Sequence, residues 1–360
     1  MRYLFFALFI INISCKNEDI LSINVSNDIV TPKHYIVPKV NDQMIIDGKA
    51  DESSWKHASF TDNFIDIEGI KKPKFNTKIK MLWDDNYLYV YSEMEETHIW
   101  GNLKQRDTVI YYNNDFEVFI DPSGNGKPYG EIEINALNTV WDLYLNKPYR
   151  LGGKADFSWN LDHLKSAVHI HGTLNNPNDI DSLWTVEMAI PLKPLMELKN
   201  DSKTKPQEGE QWRINFSRVE WDHDIIDGIY DRKKENGNYL KEYNWVWSNQ
   251  KVVNMHEPEK WGFLQFTEAQ STKDIIFMED EDILIKQTAF VLFKKSRSGE
   301  LKYLLDNDTG FVQPIEVTLS KDKVLKTIFT KTSSGFEYTI ESPFTFKIYQ
   351  IDNHGNLKVL

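Results

Sequence analysis

The chain has 360 residues, 41% of them hydrophobic and 13% aromatic, with a formal net charge of −12. That charge argues against nucleic acid as a partner, and a single cysteine, Cys15, leaves stability to packing instead of disulfides. The length suffices for one large core and a smaller one.

The N-terminus reads Met1-Arg2-Tyr3, then an apolar run from Leu4 to Ile11, then Ser14-Cys15. A short basic start and a run too brief to span a bilayer predict a secretory signal over residues 1–14. A small residue directly before Cys15 resembles a bacterial lipoprotein cleavage site. The resemblance implies lipidation of Cys15, export, and attachment to the outer membrane or cell surface. Lys16-Asn17-Glu18-Asp19 is similar to the acidic export tag of surface-displayed lipoproteins, and residues 15–35 read as a polar tether.

From Ile46 the chain is strand and turn almost throughout. Ile79, Met81 and Trp83 alternate with polar partners, Asp84-Asp85-Asn86 makes a turn, and Tyr87 to Tyr91 returns as a second strand. Further strands are expected at Asn114–Pro122, Tyr129–Asp142, Ala167–His171, Trp184–Ile190, Trp212–Glu220, Trp245–Ser248 and Gly262–Phe266. Many short strands separated by Asn, Asp, Gly and Pro turns predict an all-β antiparallel sandwich. Residues 268–283 are acidic and linker-like. Short alternating segments follow, starting with Phe290–Phe293, and predict a small C-terminal β appendage over residues 268–360.

Five segments occur in the order and spacing of family 9 carbohydrate-binding modules. They are Ile46-Asp-Gly-Lys-Ala-Asp-Glu-Ser-Ser-Trp55, Leu82-Trp-Asp-Asp-Asn-Tyr-Leu-Tyr-Val90, Asp115-Phe-Glu-Val-Phe-Ile-Asp121, Trp184-Thr-Val-Glu-Met-Ala-Ile-Pro191 and Trp261-Gly-Phe-Leu-Gln-Phe266. Residues 36–267 most resemble the family 9-like branch of Bacteroidetes exported proteins. The resemblance implies a β-sandwich that binds sugars, often with structural Ca²⁺, and that occurs attached to xylanases and other glycoside hydrolases. It also implies a sugar clamp of two Trp rings. One ring would stand six residues before the Glu of the 115–121 strand, where this chain has Tyr111. The other would stand at Met255, just before His256-Glu257-Pro258. Tyr stacks on a sugar face, whereas Met only packs.

Sugars are held by rings against their C–H faces and by acids, amides and Arg on their hydroxyls. The residues assigned to carbohydrate on this basis are Tyr111, Glu133, Asn135, Trp141, Arg218, Trp221, Trp247 and His256. Alternation puts Glu131, Glu133 and Asn135 on one face. Arg218 shares a face with Ile214 and Phe216, so it faces either a ligand or a buried carboxylate such as Glu133. Asp115, Glu117 and Asp121 are the candidate Ca²⁺ ligands, although a solvated acidic edge explains them as well. Hydrolysis is the competing reading. It needs two carboxyls about 5–5.5 Å or about 6.5–9.5 Å apart across the bond, and Glu131 and Glu133 would approach from the same side. A sandwich used only as an adhesive spacer is the third reading. The expectation that best fits these residues is non-catalytic binding of an oligo- or polysaccharide for capture or catabolism.

Overall fold

The computed structural model describes residues 20–360, so Cys15 and the expected signal segment lie outside the described residues. The contacts divide the chain into two compact units. One is Asn27–Gln287, and the other joins the residues up to Ser26 with Thr288–Leu360. No described helix is long and apolar enough to cross a membrane.

The larger unit is a sandwich of two sheets. The four-stranded sheet is antiparallel, in the order Lys165–His171, Leu183–Pro191, Tyr87–Glu95, Thr77–Trp83. The nine-stranded sheet runs His34–Pro38, Gly262–Thr267, Gln211–Glu220, Asp115–Asp121, Tyr129–Asn135, Val140–Leu145, Ala155–Asp156. Tyr243–Val246 also pairs with the 211–220 strand and Ile65–Asp66 with Tyr243–Val246. Period-two alternation sorts the side chains. Ile79, Met81, Trp83, Val90 and Val186 meet Phe116, Val118, Ile132, Ile134, Ile214 and Phe216 in one buried core.

That register sends the odd-numbered residues of the 115–121, 129–135 and 211–220 strands to the outer face of the large sheet. There Phe119, Tyr129, Trp141 and Leu143 form a second apolar cluster with Ile110, Met255 and Trp261 from covering loops. The outer face of the small sheet is covered differently. The short helix Ser53–His57 lays Trp55 against Leu82, Tyr89 and Tyr91. Glu187 secures it, because its carboxylate accepts from Asp47 N at 3.0 Å, Gly48 N at 3.1 Å and Trp55 Nε1 at 3.2 Å. Gly48 has φ +86°, and a Cβ there would stand 2.7 Å from His169 N. Two family-like segments, the one ending at Trp55 and the one containing Glu187, are therefore two halves of one structural joint.

The second unit differs from expectation in two places. The tether expected over residues 15–35 contains strand Leu21–Asn24, which pairs in parallel with Val312–Ser320, Leu21 facing Ile315. It edges a six-stranded sheet completed by Lys323–Thr332, Gly335–Glu341, Ile348–Asp352 and Leu357–Val359. In the larger unit, strand His34–Pro38 also begins inside the expected tether, and it pairs with Gly262–Thr267. Phe290–Phe293, expected as a strand, lies in helix Ile283–Ser298. Ile285, Ala289, Leu292 and Ser296 are buried at helical spacing, a period hidden by the aromatic and β-branched residues of the short run. Phe293 packs on Phe336, and the Ser296 and Tyr338 hydroxyls lie 2.7 Å apart.

Candidate functional site

The covered outer face of the nine-stranded sheet holds a pocket of about 480 Å³. Its floor is dictated by register. Ser217, Glu117, Glu133 and Trp141 stand side by side across four strands. The next row is Asn215, Phe119, Glu131 and Leu143, and Val219, Asp115 and Asn135 form the row on the other side. Directly opposed Cβ atoms in a sheet lie about 4.5–5.5 Å apart, so four carboxylic acids crowd one small patch.

Loops supply the walls. Tyr111 comes from the turn Ile110–Tyr112, with its backbone N–H donating to Glu133 Oε2 at 3.1 Å. Tyr149, Phe157 and Glu242 enter from other loops. Phe157 lies 5.5 Å from Trp141, centroid to centroid. Met255 and His256 close the far side. Trp261 Nε1 donates to Met255 O at 2.7 Å and Arg150 Nη1 to His256 O at 2.7 Å, which fixes the loop. The His256 ring is 4.6 Å from Tyr149, and its Nδ1 is 2.8 Å from the Tyr129 hydroxyl. Among the described residues, none that lines the pocket is a lysine or arginine.

Burial governs the electrostatics. It pushes the Glu117 carboxyl up to about 7. Asp115, Glu131 and Glu133 are held well above the ordinary carboxylate range, first by burial and then by the neighbouring charge of Glu117. Burial, then Arg150, lowers His256 to about 4, so its imidazole is neutral near pH 7. Among the described residues, Asp115 Oδ2, Glu131 Oε2 and Trp141 Nε1 of the patch find no partner, and neither does Ser217 Oγ in the same row. Buried polar atoms are ordinarily paired with protein or water, so this patch has hydrogen-bonding capacity to offer a bound molecule.

Of the residues assigned to carbohydrate from sequence, Tyr111, Glu133, Trp141 and His256 line this pocket. The other four do not. Asn135 is buried and accepts from Leu137 N and Thr139 N, capping the turn between two strands. Arg218 faces the inter-sheet side, as its alternation implied. Its partner is Glu96 at 2.9 Å, with Thr77 Oγ1 at 3.1 Å, because Glu133 projects from the opposite face. Trp221 lies under the Arg232 guanidinium, 4.6 Å from its ring, and donates to Tyr111 O at 2.7 Å, so it braces the wall without reaching the opening. Trp247 is in the inter-sheet core, where it occupies the space a Cβ on Gly262 would need.

The structure brings two of the three expected metal ligands together. Asp121 lies apart from them and caps its own turn, accepting from Ser123 N, Gly124 N and Gly126 N. Asp115, Glu117 and Glu133 each offer a carboxylate oxygen, all within 4.8 Å of one another. That donor chemistry fits Ca²⁺, which takes about six to eight oxygens, and supplies three of them. Sequence reasoning did not assign Glu117 and Glu131 to the sugar, although alternation with Glu133 marked the face. It also missed Tyr149, Phe157 and Glu242, which reach the pocket from loops without a periodic signal.

The sequence profile described as "Carbohydrate family 9 binding domain-like" matches residues 46–269. A carbohydrate-binding module of family 9 from Caldicellulosiruptor kristjanssonii, solved with cellotriose, is 17% identical. The match covers 69% of this chain and 100% of that one with a TM-score of 0.44. The module from the same organism solved with glucose is 17% identical over 67% of this chain and 99% of that one, with a TM-score of 0.43. A protein from Bacteroides uniformis is 14% identical over 66% and 100%, with a TM-score of 0.48. No protein of curated function matches the sequence.

Proposed function

The chain belongs to the carbohydrate family 9 binding domain-like family, and from that premise we propose that residues 27–287 form a non-catalytic saccharide-binding module. The pocket on the nine-stranded sheet is its site. One observation carries the reading: rings and unmet hydrogen-bonding atoms converge on a cavity of about 480 Å³. That volume lies within the range of small-ligand sites, about 300–1,000 Å³. Tyr111 and Met255, the two positions that the family resemblance assigns to the ring clamp, both line it. Here Tyr111, Trp141, Tyr149 and Phe157 supply the ring surface, and Glu133, Glu131 and Asn244 the polar contacts.

The wider setting in this reading is an exported lipoprotein, anchored through Cys15 to the outer membrane, that holds oligo- or polysaccharide for capture or catabolism. Ca²⁺ bound by Asp115, Glu117 and Glu133 would neutralise the patch and stiffen its floor.

A glycan array probed with the purified chain from residue 16, with and without a chelator, tests the function. Binding without turnover is the expected result. Release of reducing sugar overturns it in favour of hydrolysis, and absence of binding to every glycan removes the pocket as a saccharide site. Mass spectrometry of the membrane-extracted protein, which should show a lipid on Cys15, tests the anchor.

A further inference from the structure

We infer that the pocket prefers a saccharide bearing a protonated amine, as in a β-1,4-linked glucosamine chain, over its neutral or N-acetylated counterpart. The inference rests on the saccharide-binding reading above and narrows it. Glu117, Glu131, Glu133 and Glu242 line the opening, and Asp115 stands beside Glu117 in the floor. No cationic side chain among the described residues lines the pocket to answer them. His256 contributes no charge near neutrality, and Tyr111 is pushed up to about 12, so it stays protonated.

Acidity alone would not distinguish a ligand site from a crowded surface. The second observation is the unmet polar atoms within the same cavity. Glu131 is 5% exposed and leaves Oε2 without a partner, and Trp141, at 8%, leaves Nε1 without one. The first asks for a donor and the second for an acceptor. An amino sugar carries both, as an ammonium and its neighbouring hydroxyls. The rings around the acids suit the same ligand, since an aromatic face attracts a cation as well as a C–H surface. A neutral sugar meets the hydroxyl requirement but leaves the crowded carboxyls without a cation. An ammonium seated among them donates to several carboxyl oxygens at once, while a neighbouring hydroxyl accepts from Trp141 Nε1.

Titration calorimetry on the full chain at pH 6 tests this, with a chelator present throughout and three probes: the glucosamine dimer, its di-N-acetyl form and cellobiose. The expected result is at least tenfold tighter binding of the glucosamine dimer than of either neutral probe. Glu117→Gln and Glu133→Gln should each shrink the ratio of amine to neutral affinity several-fold. If either variant does not fold, the wild-type chain still decides the matter: its preference for the amine should fall several-fold from low to high salt, and a preference that salt leaves unchanged overturns the inference. Equal or tighter binding of cellobiose overturns the amine preference and leaves the saccharide site standing. Binding that appears only when Ca²⁺ replaces the chelator also overturns it, with a metal as the cation. No binding of any probe, with or without Ca²⁺, overturns the inference together with the function it rests on.

Discussion

Both outer faces of the sandwich bury carboxylates, and the two faces treat them differently. On the four-stranded sheet Glu187 is raised to about 7 by burial, yet two backbone N–H groups and the Trp55 indole donate to it. On the nine-stranded sheet Glu117 is raised to a similar value, beside Asp115 and Glu131, each of which has an oxygen without a partner among the described residues. A shifted carboxyl is therefore no guide to a site by itself. What separates the joint from the pocket is whether the fold supplies the partners. The chain spent local sequence on satisfying Glu187, with Gly48 in a left-handed turn and Trp55 nearby, and spent none on Glu131.

The comparison can be broken first at the joint. Glu187→Ala should destabilise the larger unit by about 3 kcal/mol, since it strands two buried donors, Gly48 N and Trp55 Nε1, and releases the part-buried Asp47 N. Urea unfolding should report that loss while saccharide affinity, measured where the protein stays folded, is unchanged. In the pocket the order reverses: Trp141→Ala should weaken saccharide binding by about 2 kcal/mol, as expected for loss of a central ring. Unaltered affinity in a folded variant would remove Trp141 from the contact surface. Gly262→Ala forces a Cβ to within 2.2 Å of Trp247, and the overpacking should cost about 1–3 kcal/mol of stability. Affinity should be little affected, because Trp247 belongs to the interior.

The subtlest test is pH. Glu117 binds its proton more tightly folded than unfolded, so its contribution to stability is present below the unfolded value and lost as pH climbs toward about 7. The thermal midpoint should fall between pH 5 and pH 8 in unliganded protein. Glu117→Gln should flatten that slope, raising the midpoint at pH 8 and leaving it nearly unchanged at pH 4. A midpoint at pH 8 no higher than that of wild type would show that Glu117 is already compensated.

Alternation made the sandwich legible, together with the sharing of one face by Glu131 and Glu133 and the inward direction of Arg218. It could not tell which face of a strand a distant loop would cover. Trp221 and Trp247 sit at strand ends, where sequence allows exposure, and only the packing of Arg232 and Gly262 reveals that they are enclosed. Tyr149 and Phe157 were invisible for the complementary reason, since loop residues have no period to betray their direction. Asp121 stands apart from Asp115, Glu117 and Glu133 because an Asp before Pro-Ser-Gly is first a turn-former.

The edge strand Leu21–Asn24 carries one more consequence. Its partner, beginning at Val312, is synthesised some 290 residues later, roughly 15–60 s at about 5–20 residues per second. During that interval the whole saccharide module can complete itself as a closed insertion, while the first strand waits without its neighbour. The six-stranded sheet is thus the last part of the chain to be sealed, and a ribosome stalled before residue 312 would hold a finished pocket on an open-ended protein.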